Sequence, residues 1–478
     1  MKANLSSIQT KIMPLIFGLA LFAIAFSAIK GMIYGNAGNV KMLAGLVVVA
    51  GVTLALDKNY WLMYPAFSLL GIKLPGIPFY GSELGCILLF TIYVLRLILQ
   101  KERTSKPCKP LIIALPFLLW IFAVWCLNPT GLAMFGSTTV GARFYLKIIL
   151  SVIAGCVMCT KSINEADAKK LFFVIFAVII VQSLISVFAI GLISTDFEKE
   201  ERGAGRYEYL FALSIYTIMF CRYSLSDVFR SGWKFFIVLF FALLTVYTGK
   251  RRAIGTLLLL PILRVFFTGK DKLLTFCCVL IAFFVLIFTV AADGAFFELP
   301  ASVKRSLSVV VPKYRESEIS QDVFRYEIRQ IGNEIIKSSP WVGRKGFAFN
   351  AQEAIWIKSM KSDLYGGHAF TGNWHSAWYA YACDFGVPCA IGYYLALIFM
   401  MFHSIKVLKQ TQYGSWTFVC ILFFTLSVYI SAIFSYTSGH SANTTVGFMY
   451  NLGMIVALAN GIKQDKLNGN LNSNKTIA

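Results

Sequence analysis

Apolar stretches long enough to cross a bilayer recur along the whole chain, and they constrain the fold more than any other feature. A spanning helix needs about 20 such residues, and in lipid its backbone polar groups must be satisfied within the segment itself. Fourteen runs of roughly 15 to 24 residues qualify as candidates. They lie near 12–29, 42–56, 59–72, 80–99, 111–127, 144–160, 171–194, 207–224, 233–247, 253–267, 273–292, 386–405, 415–433 and 446–462. The runs 42–56, 59–72 and 253–267 are short, and one or more pairs could be re-entrant, so the expected count is 12–14. No small-residue cleavage site follows 12–29, so this run does not read as a signal peptide. Of the 478 residues 58% are hydrophobic and only 14% charged, which excludes both an ordinary soluble enzyme and a disordered chain. The fold class is an all-α polytopic membrane protein.

The formal charge of +21 points to orientation rather than to nucleic acid. Basic residues mark alternate linkers, as the positive-inside rule requires. Arg96, Lys101, Arg103, Lys106 and Lys109 fall in one such linker. Lys161, Lys169 and Lys170 mark the next, followed by Arg222, Arg230 and Lys234, then Arg264, Lys270 and Lys272, then Lys406 and Lys409. Both termini are then cytoplasmic, and the opposite linkers (128–142, 195–206, 248–252, 293–385 and 434–445) face outward. The chain accordingly reads as an N-terminal bundle at 1–292, a large outer loop at 293–385, further spans at 386–462 and a cytoplasmic tail at 463–478.

The 293–385 loop reads as folded. It balances 11 Lys+Arg against 10 Asp+Glu and carries Trp341, Trp356, Trp374 and Trp378. Ser320 as N-cap, Asp322 in the first turn and a stripe of Val323, Ile328, Ile331 and Ile335 predict a helix over 320–337. Ser338-Ser339-Pro340 would end it. A second helix is expected from Asn373 to Asp384, broken by Gly386 and Pro388. Most of the 11 cysteines lie in spans as small apolar residues. Cys383 and Cys389 lie near the outer face, where a disulfide or two free thiols are both open. No zinc spacing is present, and Gly249-Lys250-Arg251-Arg252 lacks the earlier glycine of a phosphate-binding loop.

Cations on the outward side break the orientation rule. They are Lys250, Arg251 and Arg252; Arg143 and Lys147, four apart on one helical face; and Arg202 and Arg206. Charges at such places are costly and usually mark a substrate path, and clustered arginine suits phosphate. Each also has a plainer reading. Residues 250–252 could snorkel to headgroups. Asp196, Glu198, Glu200 and Glu201 could pair Arg202 and Arg206. In the loop, Arg325 and Arg329 stand one turn apart beside Glu327 and Glu334, a pattern that surface salt bridging also explains. Of the four histidines, His403 sits at a cytoplasmic span end, His440 in a polar outer turn and His368 after Gly366-Gly367. His375 opens a helix rich in Trp and Tyr, where packing or capping is the ordinary role.

Three segments resemble signatures of the O-antigen ligase and polymerase superfamily. The first is Arg325-Tyr-Glu-Ile-Arg-Gln-Ile-Gly-Asn-Glu-Ile-Ile-Lys-Ser-Ser-Pro340-Trp-Val-Gly343-Arg-Lys-Gly346, an Arg-bearing helix closed by a Pro/Gly turn. The second is His375-Ser376-Ala-Trp-Tyr-Ala-Tyr-Ala-Cys-Asp-Phe-Gly386-Val-Pro-Cys-Ala-Ile-Gly392. The third is Thr248-Gly249-Lys250-Arg251-Arg252-Ala253. The motifs cover roughly residues 200–400; the remainder resembles the superfamily by topology alone. The chain departs from the pattern at Ser376, commonly Asn, at Lys250, usually Ser, and in a turn one residue longer between its glycines.

The resemblance implies a GT-C-like fold with a periplasmic loop, in the bacterial inner membrane. It implies a metal-independent glycosyltransferase without cofactor that moves a glycan from undecaprenyl diphosphate to a sugar hydroxyl. The acceptor would be lipid A–core for a ligase, or another lipid-linked repeat for an O-antigen or exopolysaccharide polymerase. Of the site residues it implies, His375 would be general base, with Arg251 and Arg325 on the diphosphate. Arg252, Lys250, Arg143 and Arg206 would be further diphosphate contacts. A polysaccharide or lipid transporter is a reading from a different class; repeat-related halves or broken mid-bilayer helices would mark one, and the sequence has neither.

Overall fold

A computed structural model of the chain describes residues 57–69, 81–98, 109–128, 142–193, 205–247, 251–300, 303–304, 307–308, 311–314, 319–347, 374, 376–433 and 440–475. Among these residues the secondary structure is helical almost throughout, with no strand and a single isolated bridge between Asp293 and Phe297. The runs 12–29 and 42–56 lie outside the described residues. The chain divides into two compact units, Met1–Lys106 and Pro107–Ala478.

In the first unit a 3-10 segment, Asp57–Leu62, leads into α1 (Met63–Leu69), and α2 follows (Gly81–Ile98). The run 59–72 therefore does not form one spanning helix over its described part. Asn59 leaves helical geometry (φ −108°, ψ 28°), and α1 has only 7 residues. Hydrophobicity there serves burial instead: Tyr60, Trp61, Met63, Tyr64 and Phe67 are all buried. Gly85 of α2 makes the contact close, since a Cβ there would stand 3.0 Å from the Phe67 Cβ.

The second unit holds α3 (Lys109–Leu127), α4 (Ala142–Cys159), α5 (Glu165–Ile193) and α6 (Gly205–Arg222). A short α7 (Leu225–Arg230) precedes α8 (Gly232–Tyr247), α9 (Arg251–Thr268) and α10 (Lys272–Ala292). Then come α11 (Ile319–Ser338), α12 (Ala377–Phe385), α13 (Val387–Lys409), α14 (Trp416–Ile433) and α15 (Ser441–Lys475). The described apolar runs of this unit each became one of these helices. Among the described residues four helices are long and apolar enough to cross a membrane: α2, α10, α13 and α15 over Ser441–Lys466. Apolar helices of 10–17 residues fill α3, α6, α8, α9 and α14. The α10 window has a mean hydropathy of 3.0 and is 6% buried, so this helix presents apolar surface almost all round.

One end of the second unit gathers the basic linkers. Arg264, at 1% exposure, donates from Nε to the Phe220 carbonyl (2.8 Å) and bonds the Tyr413 hydroxyl and Asp271. Asp271 in turn accepts the Leu225 N–H (2.9 Å) and the Ser226 hydroxyl (2.7 Å). Glu165 caps α14, accepting the Trp416 and Thr417 N–H groups at 2.6 and 3.0 Å. Lys270 lies 3.5 Å from the Tyr413 ring centroid, and Arg222 lies over Trp416 at 4.4 Å. Arg264 thus braces helices rather than facing an aqueous linker, because a guanidinium this buried must find acceptors.

At the opposite end Asp293 fixes the start of the 293–385 loop to α10. Its carboxylate accepts the Leu299 N–H and the Tyr314 hydroxyl, both at 2.8 Å, and lies 3.4 Å from Lys304 Nζ. Leu307 and Tyr314 then pack over Val246, Leu258, Leu286 and Val290 of α8, α9 and α10. The Leu299 amide, then the Tyr314 hydroxyl and Lys304, hold the Asp293 carboxyl below its usual range against a smaller desolvation effect. A carboxyl lowered on folding contributes stability above the ordinary aspartate range and loses it as pH falls through the lowered value. Hydrogen exchange should therefore show the Leu299 amide keeping its protection down to the ordinary aspartate range and losing it as pH falls below that range. In Asp293→Asn that pH dependence should vanish.

Candidate functional site

Residues 339–347, from the first of the three segments singled out in the sequence, dock directly on residues 382–387 of the second. The α11 helix starts at Ile319, so Ser320 lies inside it rather than capping it. It ends at Ser338, and residues 339–347 turn back across the α12–α13 junction. The Arg344 N–H donates to the Cys383 carbonyl (2.8 Å), the Gly346 N–H to the Asp384 carbonyl (2.7 Å) and the Val387 N–H to the Pro340 carbonyl (2.8 Å). Such backbone approach requires two glycines. Gly343 (φ +56°) and Gly386 (φ +91°) take left-handed conformations, and a Cβ on either would overlap backbone, the Cys383 carbonyl or Trp341. The second helix begins at Ala377, later than Asn373, because Ser376 is extended at its N-cap (φ −157°, ψ 132°).

Asp384 holds this junction. It is fully buried, and its Oδ1 accepts the Arg344 Nε–H (2.9 Å), with Nη2 also at 2.9 Å. The Trp374 indole N–H donates to the same oxygen at 3.3 Å, and the Ser441 hydroxyl donates to Oδ2 at 2.7 Å. Burial raises the Asp384 carboxyl above its usual range, opposed first by Arg344 and then by Ser441 and Trp374. The carboxylate thereby joins the turn after α11, the end of α12 and the start of α15.

Aromatic packing brings in α3 and α4. Trp120 of α3 donates to the Phe385 carbonyl at 2.8 Å. Tyr145 of α4 stacks on Trp125 (4.9 Å, 20°), meets Phe347 and Phe385 edge-on and accepts the Phe347 N–H at 3.4 Å. Phe144 stacks on His440 at 5.1 Å and 28°, with Lys147 Nζ 5.4 Å from its centroid. The basic start of α4, where Arg143 is buried, therefore meets the docked 339–347 turn and the end of α12.

The sequence-predicted site residues are placed unequally. Arg143 is buried at the start of α4, and Lys147 lies over Phe144, which packs on Phe347 of the docked turn. Lys250, His368, His375 and Arg202 lie outside the described residues. Arg206, Arg251, Arg252 and Arg325 are placed by backbone: Arg206 in the first turn of α6, Arg251 and Arg252 opening α9, Arg325 in the second turn of α11. Arg329 is exposed, as a surface role predicts. Cys383 and Cys389 are free and buried, Cys383 beside Gly332 of α11 and Cys389 beside Phe117 of α3. Among the described residues no cluster of three His, Cys, Asp or Glu side chains is placed to hold a metal ion.

Sequence reasoning missed Asp384, Arg344, Trp374 and Ser441 as a set. One signal was available: Asp384 is the sole charge in the otherwise apolar 377–385 segment, and a buried lone carboxylate demands a cation. Comparison with known protein families finds no model that matches the chain, and comparison with curated proteins finds no match either.

Two stability outcomes follow from this junction. Gly386→Ala should destabilise the protein by about 1–3 kcal/mol from backbone strain alone, with the overlap on Trp341 adding to it. Asp384→Asn strands the Arg344 guanidinium and should lose about 3 kcal/mol, while Asp384→Asn with Arg344→Gln should recover most of that loss. Thermal unfolding of the detergent-solubilised variants measures both.

Proposed function

We propose that the chain is a multi-pass membrane glycosyltransferase that moves a glycan from undecaprenyl diphosphate to a sugar hydroxyl. The reaction would occur at the outer, periplasmic face of a bacterial inner membrane. The type is that of an O-antigen ligase, with lipid A–core as acceptor. The observation that carries this reading is the docking of residues 339–347 on residues 382–387. It joins the segments of the first and second signatures beside the basic start of α4.

In the proposed reaction the acceptor hydroxyl oxygen attacks the anomeric carbon of the donor sugar. The bond from that carbon to the phosphate oxygen breaks, and its electron pair leaves with the diphosphate. His375 takes the hydroxyl proton, a role suited to an imidazole that titrates near working pH. Arg251 and Arg325 are assigned to stabilise the growing negative charge, with Arg252, Lys250, Arg143 and Arg206 as further cations for the diphosphate. Fixed cations are effective here because they need no reorganisation as charge develops. Apolar helices such as α10 offer lipid-facing surface for the polyprenyl chain.

Reconstitution with a lipid-linked oligosaccharide and separate acceptors tests the proposal. Product on lipid A–core is expected; a ladder on the lipid carrier would make the chain a polymerase, and glycan movement without a new bond would defeat both. His375→Ala should slow transfer by about 10²–10⁴-fold while leaving thermal unfolding unchanged. Arg325→Ala should lower kcat by a similar order, through lost charge stabilisation. Transfer at the wild-type rate by both variants would remove the assignment.

A further inference from the structure

The linkers at the Arg264 end sort their cations into two kinds. Some are used inside the protein: Arg264 braces helices, Arg222 donates to the Gly414 carbonyl and covers Trp416, and Lys270 lies over Tyr413. Arg230, ending α7, and Lys272, opening α10, are exposed. Lys234 joins them from the first turn of α8, with its ammonium 4.2 Å from the Tyr223 ring centroid. The acids next to them are engaged elsewhere. Asp227 forms a capping box with Ser224, and Asp271 receives Leu225, Ser226 and Arg264. The edge formed by α7 and the starts of α8 and α10 therefore turns its carboxylates inward and its cations outward.

The same edge exposes large apolar side chains. The α7 helix buries Leu225 and Val228 but leaves Phe229 50% exposed, and Trp233 at the start of α8 is 55% exposed. Leu273 is exposed beside Lys272. These side chains lead into the exposed apolar faces of α8, with Phe236 and Phe240, and of α10, with Phe276. Because α10 is long and apolar enough to cross a membrane, the cations rim the end of a lipid-facing surface. Tryptophan and snorkelling cations favour that depth of a bilayer, where lipid phosphate lies. Water or a soluble anion would leave the apolar side chains uncovered, whereas an amphiphile matches both halves of the edge.

We propose that this edge binds an anionic phospholipid, with Arg230, Lys234 and Lys272 on the headgroup phosphate and Phe229 and Trp233 against the acyl chains. The inference rests on the membrane-spanning reading of the apolar helices and not on glycosyl transfer. It goes beyond orientation, which counts cations on a side without giving any of them a ligand. Basic clusters at helix ends attract anionic headgroups, and the attraction is local because salt screens it within a Debye length.

Native mass spectrometry of the detergent-solubilised full chain reads lipid binding directly, with phosphatidylglycerol and phosphatidylcholine of identical chains as probes. The wild type should bind phosphatidylglycerol about tenfold more tightly. Arg230→Gln with Lys272→Gln should remove most of that preference. Lys406→Gln with Lys409→Gln takes the same charge from the same end and should keep it. Phe229→Ala with Trp233→Ala should weaken both lipids alike. In wild-type nanodiscs, replacing phosphatidylcholine by phosphatidylglycerol should slow acetylation of Lys272 at least about twofold more than that of Lys406.

Equal binding of the two lipids by the wild type overturns the proposal. So does an equal loss of preference in the two charge-removing variants, which would make the effect the general field of this end. Displacement of phosphatidylglycerol by millimolar inorganic phosphate overturns it in favour of a soluble anion. If the Arg230 and Lys272 variant does not fold, acetylation of the wild type decides: equal slowing of Lys272 and Lys406 counts against the proposal, selective slowing of Lys272 for it. Glycosyl transfer is read by its own assay and stands or falls separately.

Discussion

A carboxylate taken wholly out of water has to be met by cations and donors, and at one end of this helical unit that requirement organises everything around it. Asp384 satisfies it with a two-nitrogen contact from Arg344, an indole N–H and a hydroxyl. Those partners come from a loop turn, from the residue before His375 and from the first residue of α15. No hydrophobic contact could impose the same registration, because apolar packing is non-directional. The two left-handed glycines follow from it: the backbones must touch for Arg344 to reach, and a side chain at Gly343 or Gly386 would hold them apart.

The opposite end solves a similar problem with different chemistry. Arg264 is buried in α9 and is satisfied by a carbonyl, a hydroxyl and Asp271, each from a different segment. Glu165 serves the free N–H groups at the start of α14. Directional polar ties therefore lie at the two ends of the unit, and the aliphatic and aromatic stretches between them supply area rather than registration. Such an arrangement suits a medium in which apolar surface gains little from hiding.

The helices were legible because apolar runs here stop at polar residues. The run 273–292 is bounded by Lys272 and Asp293, and the helix ends at the same places. The loop helix over 320–337 was readable from its Val and Ile stripe to within a residue. The run 59–72 misled because hydrophobicity reports burial as readily as spanning, and Asn59 interrupts the helix there. Of the site, the arginines and histidines that stand out in the sequence were legible as types. The Asp384 pairing was not, since its partner lies 40 residues away and is reached only through a reverse turn. The lone charge between Ala377 and Phe385 was the one local clue.

The nearly unburied α10 has a mechanical consequence. It is held at one end through Asp271, which binds α7 and α9, and at the other through Asp293, which binds the start of the 293–385 segment. Its 21 residues make a rod about 30 Å long, close to the thickness of a hydrocarbon core. Polar ties hold both its tips, and Leu286 and Val290 pack under Leu307 and Tyr314 near the second. A bilayer thinner than this rod would favour its tilt, and tilt would draw on the segment anchored at Asp293. Bilayer thickness would thereby act on the polar ties at the Asp293 end of the helix.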